Sequence, residues 1–259
     1  MPAPRSTLPL PPAPEKREEK EDLLSITFSE LANYKACALS YRLRNLIGFQ
    51  PSLAPELGYG KAVHHIMRNV AEYTRRNCKI PSPYQLDLIF DVDFYLPAAS
   101  KAGHRQMKAA ARKLVDKYVA DYGDDLKRVW AIERPFELHL PNAVIAGRAD
   151  VILDEEDGKI SSLAIVDYKT AADPYAEHDS QLQIYADAGR REGLNVRAAY
   201  LHDLNVGERR QVDISTQSVE RAEAAVVDLV DRLKARQFEP HPGPACRSCD
   251  VRAICRFGE

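Results

Sequence analysis

Residues 146–170 read Ala146-Gly-Arg-Ala-Asp150-Val-Ile-Leu-Asp154-Glu-Glu-Asp-Gly158-Lys-Ile-Ser-Ser-Leu-Ala-Ile-Val-Asp167-Tyr-Lys169-Thr170. Two apolar runs rich in Val, Ile and Leu flank Asp157-Gly158, the dipeptide that most strongly signals a β-hairpin. Asp150, Asp167 and Lys169 interrupt those runs. Residues two apart on a strand share a face, so Asp167 and Lys169 project together while Val166 and Tyr168 point the other way. A two-residue turn at Asp157-Gly158 sets Asp150 opposite Ile165, on that same face. It is then a diagonal neighbour of Asp167 at roughly 7–8 Å, near enough for two carboxylates to share an ion. A one-residue slip would undo the arrangement. An Asp-x-Lys pair on a strand is ordinarily a salt bridge facing solvent. Here the run Leu163–Val166 marks a central, buried strand, where unpaired charge is costly. Two acids and a lysine converging on one side of such a hairpin point to a metal site with a charged assistant.

The rest of the composition bounds what that site can serve. The chain has 259 residues, 45% of them hydrophobic, enough for one sizeable core plus appendages. Its 36 Lys and Arg are balanced by 38 Asp and Glu for a net charge of −2, so any nucleic-acid surface must be local. No apolar run reaches transmembrane length and no signal-peptide core stands near the start. The expectation is a soluble, cytoplasmic protein with no membrane partner. Of five cysteines, Cys37 and Cys78 stand alone while Cys246, Cys249 and Cys255 cluster. Without a secretory signal, metal ligation explains such a cluster better than disulfides do.

Residues 1–24 are proline-rich and then densely charged, which reads as a solvated tail or linker, whether a true terminus or a domain boundary. Ser29 is the expected N-cap of a helix carrying Leu31, Tyr34 and Tyr41, with Cys37 inside it or at its end. Alone, Cys37 reads as a small buried hydrophobe. Pro51 to Pro55 is a loop. A helix is expected from about Gly60 to Arg75, with Gly60 one turn from His64 so that their face allows close backbone approach. A single helical histidine is usually structural. His64 gains interest because the carboxylate pair lacks a third ligand, whereas His65 points about 100° away.

Residues 84–124 read as helical and connective. Lys101, Arg105, Lys108 and Arg112 recur there at helical spacing, a stripe that is either a solvated face or a phosphate contact. Trp130 to Leu140 starts the sheet, with Glu133 an acid inside an apolar strand. After Thr170 a polar stretch leads into a helix in which Gln181 and Tyr185, four apart, share one face and can lie over the site. Strands follow at Asn195–Leu204 and Arg210–Ile214, then a strongly periodic helix from Ser218 to Arg236. The tail holds Cys-x2-Cys-x5-Cys. Three thiolates need a fourth ligand from afar, and Cys37, Cys78 and His241 all qualify.

Taken in order, these motifs resemble the RecB-like branch of the PD-(D/E)XK nucleases, and within it the iron–sulfur members. Those are the AddB nuclease subunit, CRISPR-associated RecB-like exonucleases and nuclease domains fused to UvrD-type helicases. Gly60-x-x-x-His64, Gly147-Arg-Ala-Asp150 with Val166-Asp-Tyr-Lys169, and Gln181-x-x-x-Tyr185 are similar to that branch's histidine, core and QxxxY motifs. Cys37, within Phe28-Ser-Glu-Leu-x-x-Tyr-x-x-Cys, together with Cys246, Cys249 and Cys255 resembles its [4Fe-4S] staple. The resemblance covers nearly everything from Ser25 onward. Ala38 departs from it, since many relatives carry proline there, and Cys78 has no counterpart.

The resemblance implies an α/β, restriction-endonuclease-like core: a central mixed sheet flanked by helices, with an iron–sulfur cluster joining the N- and C-terminal segments. Residues 25–259 would form the nuclease domain, with a mainly helical part at 25–125, the core at 126–237 and the cysteine tail at 238–259. His64, Asp150, Asp167 and the Tyr168 backbone carbonyl would hold Mg²⁺ or Mn²⁺, with one imidazole leaning the choice toward Mn²⁺. Lys169 would orient the attacking water or stabilise developing charge. Gln181 and Tyr185 would position DNA. Glu133 is expected to orient a ligand, assist a second ion, or pair with Arg134 or Arg148. The expected activity is a metal-dependent deoxyribonuclease, an exonuclease on ends or single strands. It would serve repair, recombination or phage defence with a helicase or another nucleic-acid-processing subunit. The alternatives are a non-catalytic DNA-binding or scaffold module of a helicase or CRISPR-adaptation complex, and Zn²⁺ in place of the cluster.

Overall fold

The computed structural model describes residues 23–50, 58–156, 158, 160–170 and 178–257. The proline-rich start, the Pro51–Pro55 loop, Asp157 of the expected turn and the polar stretch before His178 lie outside them.

Among the described residues the centre is a six-stranded mixed sheet. Leu24–Thr27 (β1) leads into helices Phe28–Ala36 (α1) and Ala38–Tyr41 (α2) and a π-helical turn, Arg42–Leu46. Helices Tyr59–Asn77 (α3), Pro83–Asp93 (α4) and Lys101–Lys127 (α5) follow. Then come strands Val129–His139 (β2), Ala143–Asp154 (β3) and Leu163–Lys169 (β4), helix His178–Arg191 (α6), strands Val196–Asp203 (β5) and Glu208–Gln211 (β6), and helix Thr216–Lys234 (α7).

β3 organises the sheet. From Val144 to Leu153 it pairs antiparallel with β2 on one side, with Asp150 and Glu133 outside the ladder pairs. On the other side its first residues pair parallel with β1 and its last pair antiparallel with β4, which continues parallel into β5. Strands covered on both faces read as unbroken apolar runs, and Leu163 to Tyr168 are all buried. One core, against α1, α6 and α7, takes Leu31, Leu182 and Val226. The other, against α3, α4 and α5, takes Ile66, Phe90 and Val115. On α3 the buried set Val63, Ile66, Met67, Val70 and Thr74 follows the helical repeat, so one stripe is pressed onto the sheet.

Three local expectations change. Thr27, not Ser29, caps α1, in a capping box with Glu30, because β1 brings the chain to that point in an extended conformation. The last helix begins at Thr216, with Ser215 as its N-cap position. The hairpin is not closed by a two-residue turn: β3 ends at Asp154, β4 begins at Leu163, and Ile152 rather than Asp150 faces Ile165. The buried Asp154 carboxylate holds the connection by accepting from the amides of Glu156, Gly158 and Ile160. The shift is two positions, so β4 keeps its faces. No helix among the described residues is long and apolar enough to cross a membrane.

Candidate active site

Pairing between β3 and β4 stops at Val151 and Val166, and one rung further on lie Asp150 and Asp167. Beyond that rung β4 pairs only with β5, while β1 takes up β3 again at Ala146. The sheet therefore forks, and the fork exposes backbone groups that need partners. Side chains supply them. The Tyr168 amide donates to Asp150 Oδ2 at 2.7 Å. The Tyr185 hydroxyl reaches the backbone of Arg148.

Each motif residue arrives from a different element. α3 carries His64, whose Nδ1 lies 2.9 Å from Asp150 Oδ1. Gly60, one turn earlier, sits against Thr170: a Cβ there would come within 3.0 Å of its Oγ1. Asp167 is 3% exposed. Lys169 Nζ stands 2.6 Å from Asp167 Oδ2 and donates to Gln181 Oε1 at 3.2 Å. Gln181 Nε2 in turn donates to the Tyr185 hydroxyl at 3.0 Å. The Tyr185 ring fits over Gly147, where a Cβ would lie 2.1 Å from Cε1. Glycine is required at 147 by that approach.

The strict alternation expected for β3 fails at the site. Ala149 faces the core under α6, yet Val151 faces the core under α3. Asp150, between them, turns to His64 on α3, while Asp167 meets Lys169, which donates to Gln181 on α6. The acids approach the fork from its two sides rather than from one face. On β2 the neighbouring residue is Glu133, whose φ of 51° is left-handed and whose carboxylate accepts from Arg148 Nη1 at 3.2 Å. The pairing expected between Glu133 and Arg148 forms. Sequence reasoning gave no sign of the backbone conformation.

Electrostatics mark the fork as a place that wants a cation. Burial pushes the Asp167 carboxyl up to about 6, helped by the charge of Asp150 and opposed by Lys169 and His64. Its Oδ2 is buried, with the Lys169 ammonium 2.6 Å away as its charged neighbour. Burial lowers His64, but its hydrogen bond to Asp150 and the nearby acids outweigh that and leave its value raised. By donor chemistry, a buried carboxylate beside a second carboxylate and an imidazole fits a hard divalent ion. The three candidate ligands are nonetheless not gathered in a cage. Among the described residues no group of three or more His, Cys, Asp or Glu stands close enough to hold a metal ion.

The same holds for the cysteines, although their segments meet. Cys37 separates α1 from α2 in an extended conformation. Ser40 Oγ lies 3.9 Å from Cys249 Sγ, and Arg44 Nε donates to Asp250 at 2.7 Å. Tyr34 donates to the Gln237 carbonyl at 2.6 Å. Cys37, Cys246, Cys249 and Cys255 are half-buried and unbridged, whereas Cys78 is exposed. In the basic stripe, Lys108 and Arg112 of α5 are neutralised by Asp91 and Asp87 of α4, which weakens the stripe that includes Lys101 and Arg105 as a phosphate contact.

Behind β4 lies a cluster that the sequence reading missed. Tyr168 donates to the Tyr118 hydroxyl at 2.8 Å, and His202 is enclosed by the rings of Tyr118, Tyr122 and Tyr168. Both nitrogens of His202 are buried without a partner, and burial with the Arg209 charge lowers it to about 4. Single polar letters in apolar strands were its only trace in the sequence.

The three-layer fold and its forked central sheet meet their counterpart in a family profile: residues 25–256 match the PD-(D/E)XK nuclease superfamily, and the chain belongs to it. Among solved structures, a protein of Eubacterium rectale provisionally described as an exonuclease aligns with a TM-score of 0.52. It shares 15% identity, over 88% of this chain and 87% of that one, a likeness of fold alone. SSO0001 aligns with a TM-score of 0.44 at 14% identity, over 94% of this chain and 90% of that one. No curated protein matches.

Proposed function

We propose that the protein is a metal-dependent DNA nuclease of the RecB-like kind, an exonuclease acting on ends or single strands. The observation that carries the reading is the fork itself. His64, Asp150, Asp167, Lys169, Gln181 and Tyr185 converge there from α3, β3, β4 and α6. His64, Asp150, Asp167 and the Tyr168 carbonyl would hold Mg²⁺ or Mn²⁺. Bound there, the ion supplies Lewis-acid polarisation of the scissile phosphate and lowers the pKa of a water. Lys169, steadied by Gln181, offers a donor to that water or to the charge developing on phosphate. Gln181 and Tyr185 form the wall on which a nucleotide is positioned.

The contact between the α1–α2 segment and the tail supports a second part of the reading. Cys37, Cys246, Cys249 and Cys255 would ligate a [4Fe-4S] cluster, or Zn²⁺, whose binding energy is folding energy. Coupling to a helicase and a place in repair, recombination or phage defence belong to the same proposal. The rival reading, a non-catalytic DNA-binding module, draws on the absence of three grouped ligands among the described residues.

The deciding experiment digests end-labelled single- and double-stranded DNA with Mn²⁺, Mg²⁺ or EDTA, wild type beside Asp167→Ala. Metal-dependent cleavage lost in the variant is the expected result. DNA binding without cleavage in any metal would favour the non-catalytic module.

A further inference from the structure

In a regular strand, residues two apart share a face. On β2, Ile132 packs against the core under α3, while Arg134 lies over the rings of Trp130 and Phe136 in the opposite core. On β3, Ala149 and Val151 are likewise two apart and face opposite cores. The register pairs Ile132 with Val151 and Arg134 with Ala149, so both strands reset their alternation between those pairs, where Glu133 and Asp150 lie across from each other without pairing in the ladder. Glu133 is left-handed there, with φ 51°. Of the four non-glycine residues with positive φ among the described residues, Cys78 caps a helix and Ile160 and Arg236 lie in connections. Glu133 alone sits inside a strand.

A left-handed side-chain-bearing residue in a strand persists only when its surroundings demand it. What the reset accomplishes is visible across the rung: Asp150 meets His64 and caps the Tyr168 amide. Without it, continuing the alternation back from Val151 would turn Asp150 toward α6, away from His64.

We propose that Glu133 is a positioning residue whose left-handed backbone, rather than its carboxylate, aims Asp150 at His64. The inference rests on the nuclease reading for its catalytic consequence, but not for its geometric one. Its prediction is a ladder set by tolerance of positive φ. Glycine and asparagine tolerate it, alanine less, and β-branched valine least.

The experiment compares Glu133→Gly, Glu133→Asn, Glu133→Ala and Glu133→Val. Crystal structures of the metal-free proteins and kcat and KM on DNA with Mn²⁺ are the readouts. Gly and Asn should keep the His64–Asp150 contact and stay within about threefold of wild-type kcat. Val should break the contact and lose about a hundredfold in kcat with KM little changed, as a misaimed ligand does. Should Glu133→Val not fold, the same comparison is read between Ala and Asn. A Gly variant as inactive as Val, with the contact intact, would make the carboxylate the working group and overturn the proposal. So would a Val or Ala variant that keeps the contact. If wild type cleaves no DNA, the nuclease reading falls, and the contact in the variant structures still decides the role of Glu133.

Discussion

Asp150 joins two elements that the sheet itself leaves apart: one oxygen lies 2.9 Å from His64 on α3, and the other accepts the Tyr168 amide at 2.7 Å. On the proposed nuclease reading, structural and chemical duties would meet on this one carboxylate, and substitutions can separate them. Asp150→Asn keeps an acceptor for the amide but loses the charge that a divalent ion needs. It should fold with a Tm near that of wild type and lose roughly 10²–10³-fold in kcat. Asp150→Ala strands a buried amide and should cost a further 1–3 kcal/mol of stability, roughly. Thermal melts in EDTA beside single-turnover cleavage check both. Equal destabilisation by Asn and Ala would show that the hydrogen bond to Tyr168 is not what Asp150 contributes to the fold.

Gly147 and Tyr185 form a second coupled pair. Any β-carbon at 147 enters the tyrosine ring, so Gly147→Ala must push Tyr185 off the fork and with it the chain to Gln181 and Lys169. Overpacking of this kind costs about 1–3 kcal/mol. Tyr185 is itself a buried core ring, so Gly147→Ala combined with Tyr185→Ala should cost less stability than the two single changes summed and regain none of the activity. A double-mutant cycle in Tm and kcat measures this, and strict additivity in Tm would mean that the two residues do not press on each other.

Much of this was legible in the chain because it follows from simple periodicities. Asp167 and Lys169 share a face by alternation, Gln181 and Tyr185 by helical spacing, and Gly60 allows the close approach of α3 to Thr170. Asp150 stands out in the chain as an acid in an apolar run, but strict alternation misplaces its side chain, because the structure breaks that alternation at Glu133. A reset of that kind depends on two strands brought together by the fold, and neither strand's pattern encodes it. The turn failed similarly: Asp157-Gly158 promised a tight hairpin, while Asp154 folds its carboxylate into the connection and lengthens it. β1 escaped notice because four residues hold too little pattern to mark a strand whose partner is over a hundred positions away.

Two buried groups titrate in opposite senses over the same pH range. Asp167 has a folded value of about 6 against an ordinary 3.8. The folded protein thus holds the extra proton between these values, and the destabilisation from its buried charge is complete above 6 and fades as pH falls toward 3.8. His202 has a folded value of about 4 against 6.5, so the stability it contributes as a neutral ring is present above 6.5 and is lost as pH falls through that range. In EDTA the wild-type Tm should change little between pH 6.5 and 4 from these two groups, because they offset each other. Asp167→Asn should leave the His202 slope exposed and lose Tm on acidification. His202→Phe should show the reverse trend. Melts at half-unit pH intervals test this, and parallel curves for all three proteins would count against both assignments.

The tail provides the last test, because it touches the N-terminal segment at several places besides the thiols. Arg44 pairs with Asp250, and Tyr34 holds the Gln237 carbonyl. An exposed ion pair contributes at most about 1 kcal/mol, so Arg44→Ala should lower Tm by only a few degrees and leave any bound metal in place. A cluster spanning Cys37 and the tail would close a long loop, and its loss should be far more damaging. Protein purified without oxygen should therefore be brown, absorb near 400 nm and carry about four irons per chain if the cluster is [4Fe-4S]. Cys37→Ala or Cys249→Ala should lose iron and stability together, while Cys78→Ala should lose neither. Colourless protein with bound Zn²⁺ would replace the cluster by the smaller ion. A Cys37→Ala variant with full metal content would remove that residue from the ligand set.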